Sequence, residues 1–362
     1  MNLHKFPRRG YVDRPTPIQY LPRLTEALGG RNDIFIKRDD LLPGCLGGNK
    51  TRKLDFVLGE AVRQKATSIV TCGAVQSNHC RLALAWANVE GLKCHLVLEE
   101  RVEGSYRPGG SGNNLLFNLL GAASITVVPG GADVGGVMSE LAAKLKKNGE
   151  RPYVVPGGAA DPLGALGYAA CAQEIAGQLL ESDPGFNRII TATGSGGTHA
   201  GLLAGLEATG TPLEVMGINV RRPTAEAQKE IVTKLTVDTL KLLEYDRPFD
   251  SDKVSCFPDY LGPFYSKPDK STLEAIELLA KTESVIVDPV YTGKALAGLI
   301  DFTRKDRVFD RGEPVLFLHT GGSAAIFSYP ELFKTAPPSL LPKGPAAAKP
   351  VRPGKTAVRK SK

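Results

Sequence analysis

Short, mostly apolar runs alternate with stretches of helical spacing along nearly the whole of this chain. Ile34–Lys37, Ser68–Gly73, Cys94–Leu98, Ser124–Val128, Pro152–Pro156, Arg188–Thr193, Glu214–Val220 and Pro314–His319 have the length and composition of strands. Between them lie segments such as Leu54–Ala61, Ser77–Val89 and Met138–Lys147 that read as helices. A strand apolar on both faces has to be covered on both, which parallel strands achieve with helices packed above and below. The pattern predicts an α/β protein of open α/β/α domains with mostly parallel sheets. Gly and Pro interrupt it at Gly104–Asn114 and Pro156–Gly164. The second interruption reads as the return from an inserted domain. The expected organisation is a larger domain from residues 1–53 and 157–335, a smaller α/β domain from 54–156, and a tail from 336–362.

At 362 residues the chain has apolar material for two cores. Its formal charge of +7 would suggest nucleic acid if it were spread over a surface. It is not spread. Residues 336–362 hold seven Lys and Arg and no acid, and the remaining 38 basic residues match the 38 acidic ones. The Pro- and Ala-rich tail cannot bury a core and is expected to be disordered and dispensable for chemistry. A neutral body argues against a nucleic-acid partner. The six cysteines (Cys45, Cys72, Cys80, Cys94, Cys171, Cys256) form no C-x-x-C pair and no metal-ligand spacing, so they read as reduced, packed thiols and no metal site is expected. The first nine residues lack the apolar run of a signal peptide, and no segment approaches a membrane span. These features predict a soluble, cytoplasmic protein with no membrane partner.

Residues suited to chemistry gather where strands run into helices. Gly47-Gly48-Asn49-Lys50-Thr51-Arg52-Lys53 follows a charged strand end and precedes a helix. Glycines let the backbone crowd a planar ligand, and a helix entrance supplies unpaired N–H groups and a positive dipole end. Lys50 is therefore suited to lose its proton and attack a carbonyl. Taken alone, the stretch also reads as a solvated basic helix start. Gly73-Ala74-Val75-Gln76-Ser77-Asn78-His79 ends a strand and enters a helix, where ligands of open sheets bind and N–H groups suit a carboxylate. Simple capping by Ser77 or Asn78 explains it as well.

Thr193-Gly194-Ser195-Gly196-Gly197-Thr198-His199 exposes successive N–H groups and hydroxyls, an anion nest for a phosphate. It is not a dinucleotide fingerprint, because His199 stands where the third glycine would be, and Asn219-Val220-Arg221 lacks the acid that holds a ribose. No lysine follows as in a Walker loop. Val287-Asp288-Pro289-Val290-Tyr291-Thr292-Gly293-Lys294 and Leu318-His319-Thr320-Gly321-Gly322 complete the set. Singly, Tyr291 is an acid/base or a packed aromatic, and Thr320 a ligand donor or a turn hydroxyl.

Together, in this order and spacing, the five motifs resemble the pyridoxal-phosphate (PLP) fold type II enzymes, with their tryptophan synthase β-like fold. Within them the resemblance is to the branch of D-cysteine desulfhydrase and 1-aminocyclopropane-1-carboxylate (ACC) deaminase. The similarity runs from about Leu3 to Leu332. It implies pyridoxal 5'-phosphate as cofactor, bonded covalently to Lys50. It implies that Ser77, Asn78 and His79 hold the substrate carboxylate, with Ser77 also at the reacting centre and Asn78 on the cofactor 3-hydroxyl. In the same way Gly194, Ser195, Gly196, Gly197 and Thr198 would cradle the phosphate, Lys53 would lend it charge, and Tyr291 would face the substrate as a catalytic group.

The deaminases carry Glu after that tyrosine and Leu between the final His and Gly-Gly, where this chain has Thr292 and Thr320. A carboxylate beside the pyridine nitrogen keeps it protonated and makes a strong electron sink; a hydroxyl leaves it nearly neutral. With Thr292 and Thr320 at the cofactor, the resemblance implies a PLP-dependent carbon–sulfur lyase that converts D-cysteine to pyruvate, hydrogen sulfide and ammonia. Lys50 or Tyr291 would remove the α-proton. Desulfonation of L-cysteate, with Arg221 or Arg222 as the sulfonate partner, and then ACC deamination are the alternatives in this class. A nucleotide-binding or non-catalytic phosphate-binding α/β protein is the alternative outside it. A small amino-acid substrate and a homodimer complete what the resemblance implies.

Overall fold

The computed structural model describes residues 1–182, 184–305 and 308–333, so the expected tail at 336–362 lies outside the described residues. The chain opens with β1 (Ile18–Tyr20), α1 (Pro22–Ala27), β2 (Ile34–Arg38) and α2 (Lys50–Arg63). There follow β3 (Ser68–Ala74), α3 (Asn78–Val89), β4 (Lys93–Glu100), α4 (Asn113–Leu119), β5 (Ser124–Pro129), α5 (Val134–Lys147) and β6 (Pro152–Val155). Then come α6 (Pro162–Glu181), β7 (Arg188–Thr193), α7 (Gly197–Thr209), β8 (Glu214–Asn219) and α8 (Ala225–Leu242). The last elements of this series are β9 (Ser255–Phe257), α9 (Lys270–Glu283), α10 (Thr292–Lys305) and β10 (Val315–His319).

The strands form two sheets, one ordered β1-β2-β10-β7-β8-β9 and the other β5-β4-β3-β6. Every strand pair is parallel except β1 with β2. The apolar runs of the sequence are the inner strands, for the expected reason. In β3, Ile69 packs with Leu82, Leu96 and Val155 on one face, while its neighbour Val70 packs with Val97, Met138 and Leu145 on the other. Each such side chain contributes about 1.5–3 kcal/mol on full burial, which is why the strand has no polar face. Strands β1 and β9 sit at the two edges of the larger sheet, are three residues long, and are too short and too exposed to read as apolar runs. Both sheets belong to one compact unit, Met1–Ser328; past it a short 3₁₀ turn covers Pro330–Phe333.

Two close helix approaches set the position of α2. A Cβ on Gly167 of α6 would lie 2.2 Å from the Arg52 carbonyl oxygen, so α6 and α2 touch backbone to backbone. A Cβ on Gly201 of α7 would lie 2.2 Å from the Ala165 carbonyl oxygen, which presses α7 equally close to α6. Beneath α2 is a buried ionic cluster. Arg52 bonds Asp39 through Nε at 2.8 Å and Nη2 at 2.8 Å, and Glu174 through Nη1 at 2.7 Å. Lys37 pairs with Glu174, and the Tyr168 hydroxyl donates to Asp39 at 2.6 Å. The helix that begins at Lys50 is thereby fixed to the larger sheet.

Candidate active site

Lys50 is the first residue of α2, and two glycines put it there. Gly47 (φ +62°) and Gly48 (φ +121°) are in the left-handed region; a Cβ on Gly47 would lie 2.0 Å from the Asp40 carbonyl oxygen. Gly321 (φ +86°), after β10, packs on Gly48, where a Cβ would come within 2.7 Å of its Cα. Asn49 ties three motifs together. Its N–H donates to the Thr320 carbonyl at 3.0 Å, its Nδ2 to the Thr198 hydroxyl at 3.0 Å, and its Oδ1 accepts from Lys50 Nζ at 3.1 Å.

The cavity in front of Lys50 has a volume of about 180 Å³, with Ser77, Asn78, His79, Gly194, Ser195, Gly196, Thr198, Tyr291 and Thr320 in its wall. Residues from five separate motifs thus converge on one space. Burial pushes the Lys50 amine down to about 8, against the opposing pull of the Asp288 carboxylate. About a tenth of such an amine is neutral at pH 7, far more than for an ordinary lysine, and the neutral form is the one that attacks an aldehyde.

Lys53, one turn along α2, is wholly buried beneath the glycine loop. Its Nζ has a carbonyl contact, Gly158 O at 3.4 Å, and no carboxylate within ion-pair distance among the described residues. Burial, and then the nearby Lys50, hold its pKa well below the usual lysine value. The loop above is a cradle. Helix α7 starts at Gly197 with Gly196 (φ +90°) as its N-cap, no side-chain cap and no acid in its first turn. A Cβ on Gly197 would lie 2.7 Å from Lys53 Nζ, and one on Gly158 the same distance from Ser195 Oγ. Free N–H groups, a hydroxyl and an unpaired buried ammonium form a donor set that fits a phosphate dianion.

Ser77 caps α3, its Oγ accepting from the Cys80 N–H at 3.1 Å. The capping explanation therefore holds for Ser77, which also lines the cavity. Asn78 Oδ1 accepts from Asn113 at 2.8 Å. His79 is buried, bonded through Nε2 to Thr71 Oγ1 at 2.8 Å, with Nδ1 unpartnered among the described residues. Burial, then Lys50 and Lys53, keep its pKa well below the normal imidazole value.

Thr292, like Lys53 and Gly197, is not in the cavity wall: its hydroxyl donates to Asp288 Oδ1 at 2.6 Å and accepts from the Asp288 N–H at 2.8 Å. Asp288, which the sequence reading passed over, organises this turn by also accepting from the N–H groups of Val290 and Tyr291, both at 2.9 Å. An Asp-Pro-x-x-Thr run is a turn signal that could have revealed it. Tyr265 was missed as well. It lies in the cavity wall, its hydroxyl against that of Tyr291, and its ring is covered by the Arg101 guanidinium at 4.4 Å. Arg101 bonds Glu99 at 2.6 Å, and both line the cavity. Arg221 lines it too, whereas Arg222 is committed to the Gly194 carbonyl at 2.6 Å and to Gln228 at 2.7 Å. Among the described residues no cluster of His, Cys, Asp or Glu could hold a metal, and no helix is long and apolar enough to cross a membrane.

A buried lysine of lowered pKa and a glycine-rich phosphate cradle, at the carboxyl ends of two mostly parallel sheets, fit pyridoxal phosphate. The chain belongs to the family described as "Pyridoxal-phosphate dependent enzyme", which it matches over residues 11–321. Its fold is similar to that of a crystal structure described as an ACC deaminase homologue, at 37% identity and a TM-score of 0.80, over 91% of this chain and 96% of that one. The cofactor is therefore pyridoxal phosphate and the fold is that of the type II enzymes.

Proposed function

We propose that the chain catalyses β-elimination from D-cysteine, giving pyruvate, ammonia and hydrogen sulfide. The observation that carries this reading is the composition of the cavity wall. Among the described residues its one carboxylate is Glu99, bonded to Arg101, while Thr320 occupies the wall beside Gly321. When bound, the cofactor supplies an aldehyde for the substrate amine and a ring that draws electrons from the α-carbon, weakly where no carboxylate keeps its nitrogen protonated. Expelling a thiolate from the β-carbon asks less of such a site than opening a cyclopropane.

Lys50 would hold the cofactor and Lys53, Ser195 and the start of α7 its phosphate. The entrance of α3 at Ser77–His79 would orient the substrate carboxylate. Burial and the neighbouring Tyr265 keep the Tyr291 hydroxyl protonated far above its ordinary range, so Tyr291 acts as a donor. Lys50 Nζ is then the base that takes the α-proton, a role worth roughly 10²–10⁴-fold. The Cβ–S bond breaks with its electron pair on sulfur, which leaves as hydrosulfide accepting a hydrogen bond from the Tyr291 hydroxyl and is protonated in solvent, and water completes the release of pyruvate and ammonia. The reading carries a homodimer with it, which light scattering tests.

Arg221 favours a second reading. Its guanidinium lines the cavity without an ion-pair partner among the described residues, which suits an anionic β-substituent such as the sulfonate of L-cysteate. The deciding experiment offers D-cysteine, L-cysteine, L-cysteate and ACC separately to the cofactor-loaded protein and measures pyruvate with sulfide or sulfite. Sulfide from D-cysteine well above the other signals is expected. Sulfite from L-cysteate with little sulfide would replace the first reading by the second, and 2-oxobutyrate from ACC would overturn both.

A further inference from the structure

The motif that delivers Tyr291 ends on Lys294, a residue without a part in the chemistry above. Lys294 lies in the first turn of α10 and is fully buried. Its Nζ donates to the carbonyl oxygens of Leu261 at 2.5 Å and Phe264 at 3.2 Å, and no carboxylate is within ion-pair distance among the described residues. Burial pushes it down to about 8, with Asp269 and Asp288 opposing. A buried ammonium is costly, and in a purely structural role an apolar side chain of the same length would serve better.

The two carbonyls it holds belong to the irregular segment between β9 and α9 that carries Tyr265. One end of it is anchored by Tyr260, buried with its hydroxyl on Asp301 at 2.8 Å and its ring edge-on to Phe302; nearer Tyr265 the backbone bonds are short-range. Leu261 N–H donates to Pro258 at 3.2 Å, Lys267 N–H to Phe264 at 3.2 Å, and Phe264 is 45% exposed instead of anchored in a core. Gly262 and Ser266 both have positive φ, so its path is set turn by turn. Yet Tyr265 arrives in register with two partners from different parts of the fold: the Tyr291 ring at 5.8 Å, edge to face, and Arg101 from beyond β4.

We propose that Lys294 is a positioning residue for the substrate side of the cavity: by clamping the Leu261 and Phe264 carbonyls it sets where Tyr265 meets Tyr291 and Arg101. This rests on the reading that Tyr291 faces the substrate. Lys294 touches neither substrate nor cofactor and acts through Tyr265.

The test uses the cofactor-loaded full chain as wild type, Lys294→Met, Tyr265→Phe and the double variant. Lys294→Met is expected to keep the wild-type cofactor absorbance and content and to speed amide exchange in residues 258–267. It should lower kcat/KM for the elimination substrate roughly tenfold, mainly through KM, because small misplacements at a reacting centre are costly. The double variant should fall no further than Tyr265→Phe, since residues acting through one contact are not additive. Effects that multiply in the double variant, or unaltered exchange in 258–267, overturn the proposal. If Lys294→Met does not accumulate as folded protein, Lys294→Gln, which keeps one donor, enters the same cycle. Should the wild type eliminate none of the substrates offered, the functional reading falls, and the exchange measurement alone decides on Lys294.

Discussion

Two groups of buried charges lie on opposite sides of the first turn of α2, and they are built on opposite rules. On one side Arg52, Asp39, Glu174 and Lys37 satisfy one another completely. On the other, Lys50, Lys53 and His79 are crowded together with two cations, an orphan ring nitrogen and no carboxylate within ion-pair distance among the described residues. The charges of the first group favour their ionised forms: Asp39 is lowered and Arg52 raised, in each case because the partners outweigh burial. In the second group burial dominates and every pKa falls. Around α2, the buried charges that are paired hold the fold, and those left unpaired in front of the cavity suit a partner that arrives later.

The contrast is broken most severely at Lys50. Lys50→Ala should abolish both the absorbance of lysine-bound cofactor and all turnover while leaving the thermal unfolding of the apoprotein nearly unchanged; retained turnover would remove Lys50 from the chemistry. Arg52→Met, only two residues on, should do the reverse. It strands Asp39 without its bonded cation and leaves Glu174 with Lys37 alone, a loss of about 3–5 kcal/mol, visible as a large fall in Tm with or without cofactor. A stable Arg52→Met protein would show that the paired cluster is not what fixes α2.

How much of this was legible beforehand follows the same division. The inner strands could be read because burial on both faces dictates their composition; Lys50, Ser77 and Gly194–Thr198 stand out as candidates because glycines and helix starts mark them, and Tyr291 only through the family resemblance. What could not be read depends on contacts between distant segments. Tyr265 sits in an irregular stretch with no periodicity, and its meeting with Tyr291 is made by three-dimensional packing alone. Thr292 was expected at the cofactor, but the neighbouring Asp288 takes its hydroxyl, a competition between residues four apart that spacing does not reveal. Edge strands β1 and β9 escaped because three half-exposed residues carry no pattern.

Lys53 sharpens the comparison with a smaller, signed effect. Its folded pKa lies below its unfolded one, so the unfolded chain binds more protons and the unliganded protein gains stability as pH rises towards the ordinary lysine value of 10.5. Lys50 adds to this between about 8 and 10.5. Lys53→Met should flatten the slope relative to wild type, a difference in which titrating groups remote from Lys53 cancel. The variant should be no less stable than wild type as apoprotein, yet bind the cofactor about 10–100-fold more weakly, the loss of a charge-assisted bond to phosphate. Thermal unfolding at several pH values with and without cofactor checks both; a destabilised apoprotein with normal cofactor affinity would assign Lys53 to the paired, structural class.

The finest effect is a tautomer. Thr71 Oγ1 has one hydrogen and lies 2.9 Å from the Val155 carbonyl oxygen, which can only accept, and 2.8 Å from His79 Nε2. Both contacts are hydrogen bonds only if the hydroxyl donates to the carbonyl and accepts from Nε2–H. His79 is then neutral, with the Nδ1 lone pair unpartnered among the described residues, in a wall otherwise rich in donors. Burial, and then the two flanking lysines, oppose its protonation, so it should hold that form from about pH 6 to 8, where an ordinary histidine titrates. With five histidines in the chain, ¹⁵N-histidine labelling resolves the point. The Nε2–H pattern should persist across this range, and adding cofactor should shift the Nδ1 resonance as its lone pair finds a donor. A ring that titrates normally would place His79 outside the unpaired cluster and leave the two lysines alone to define it.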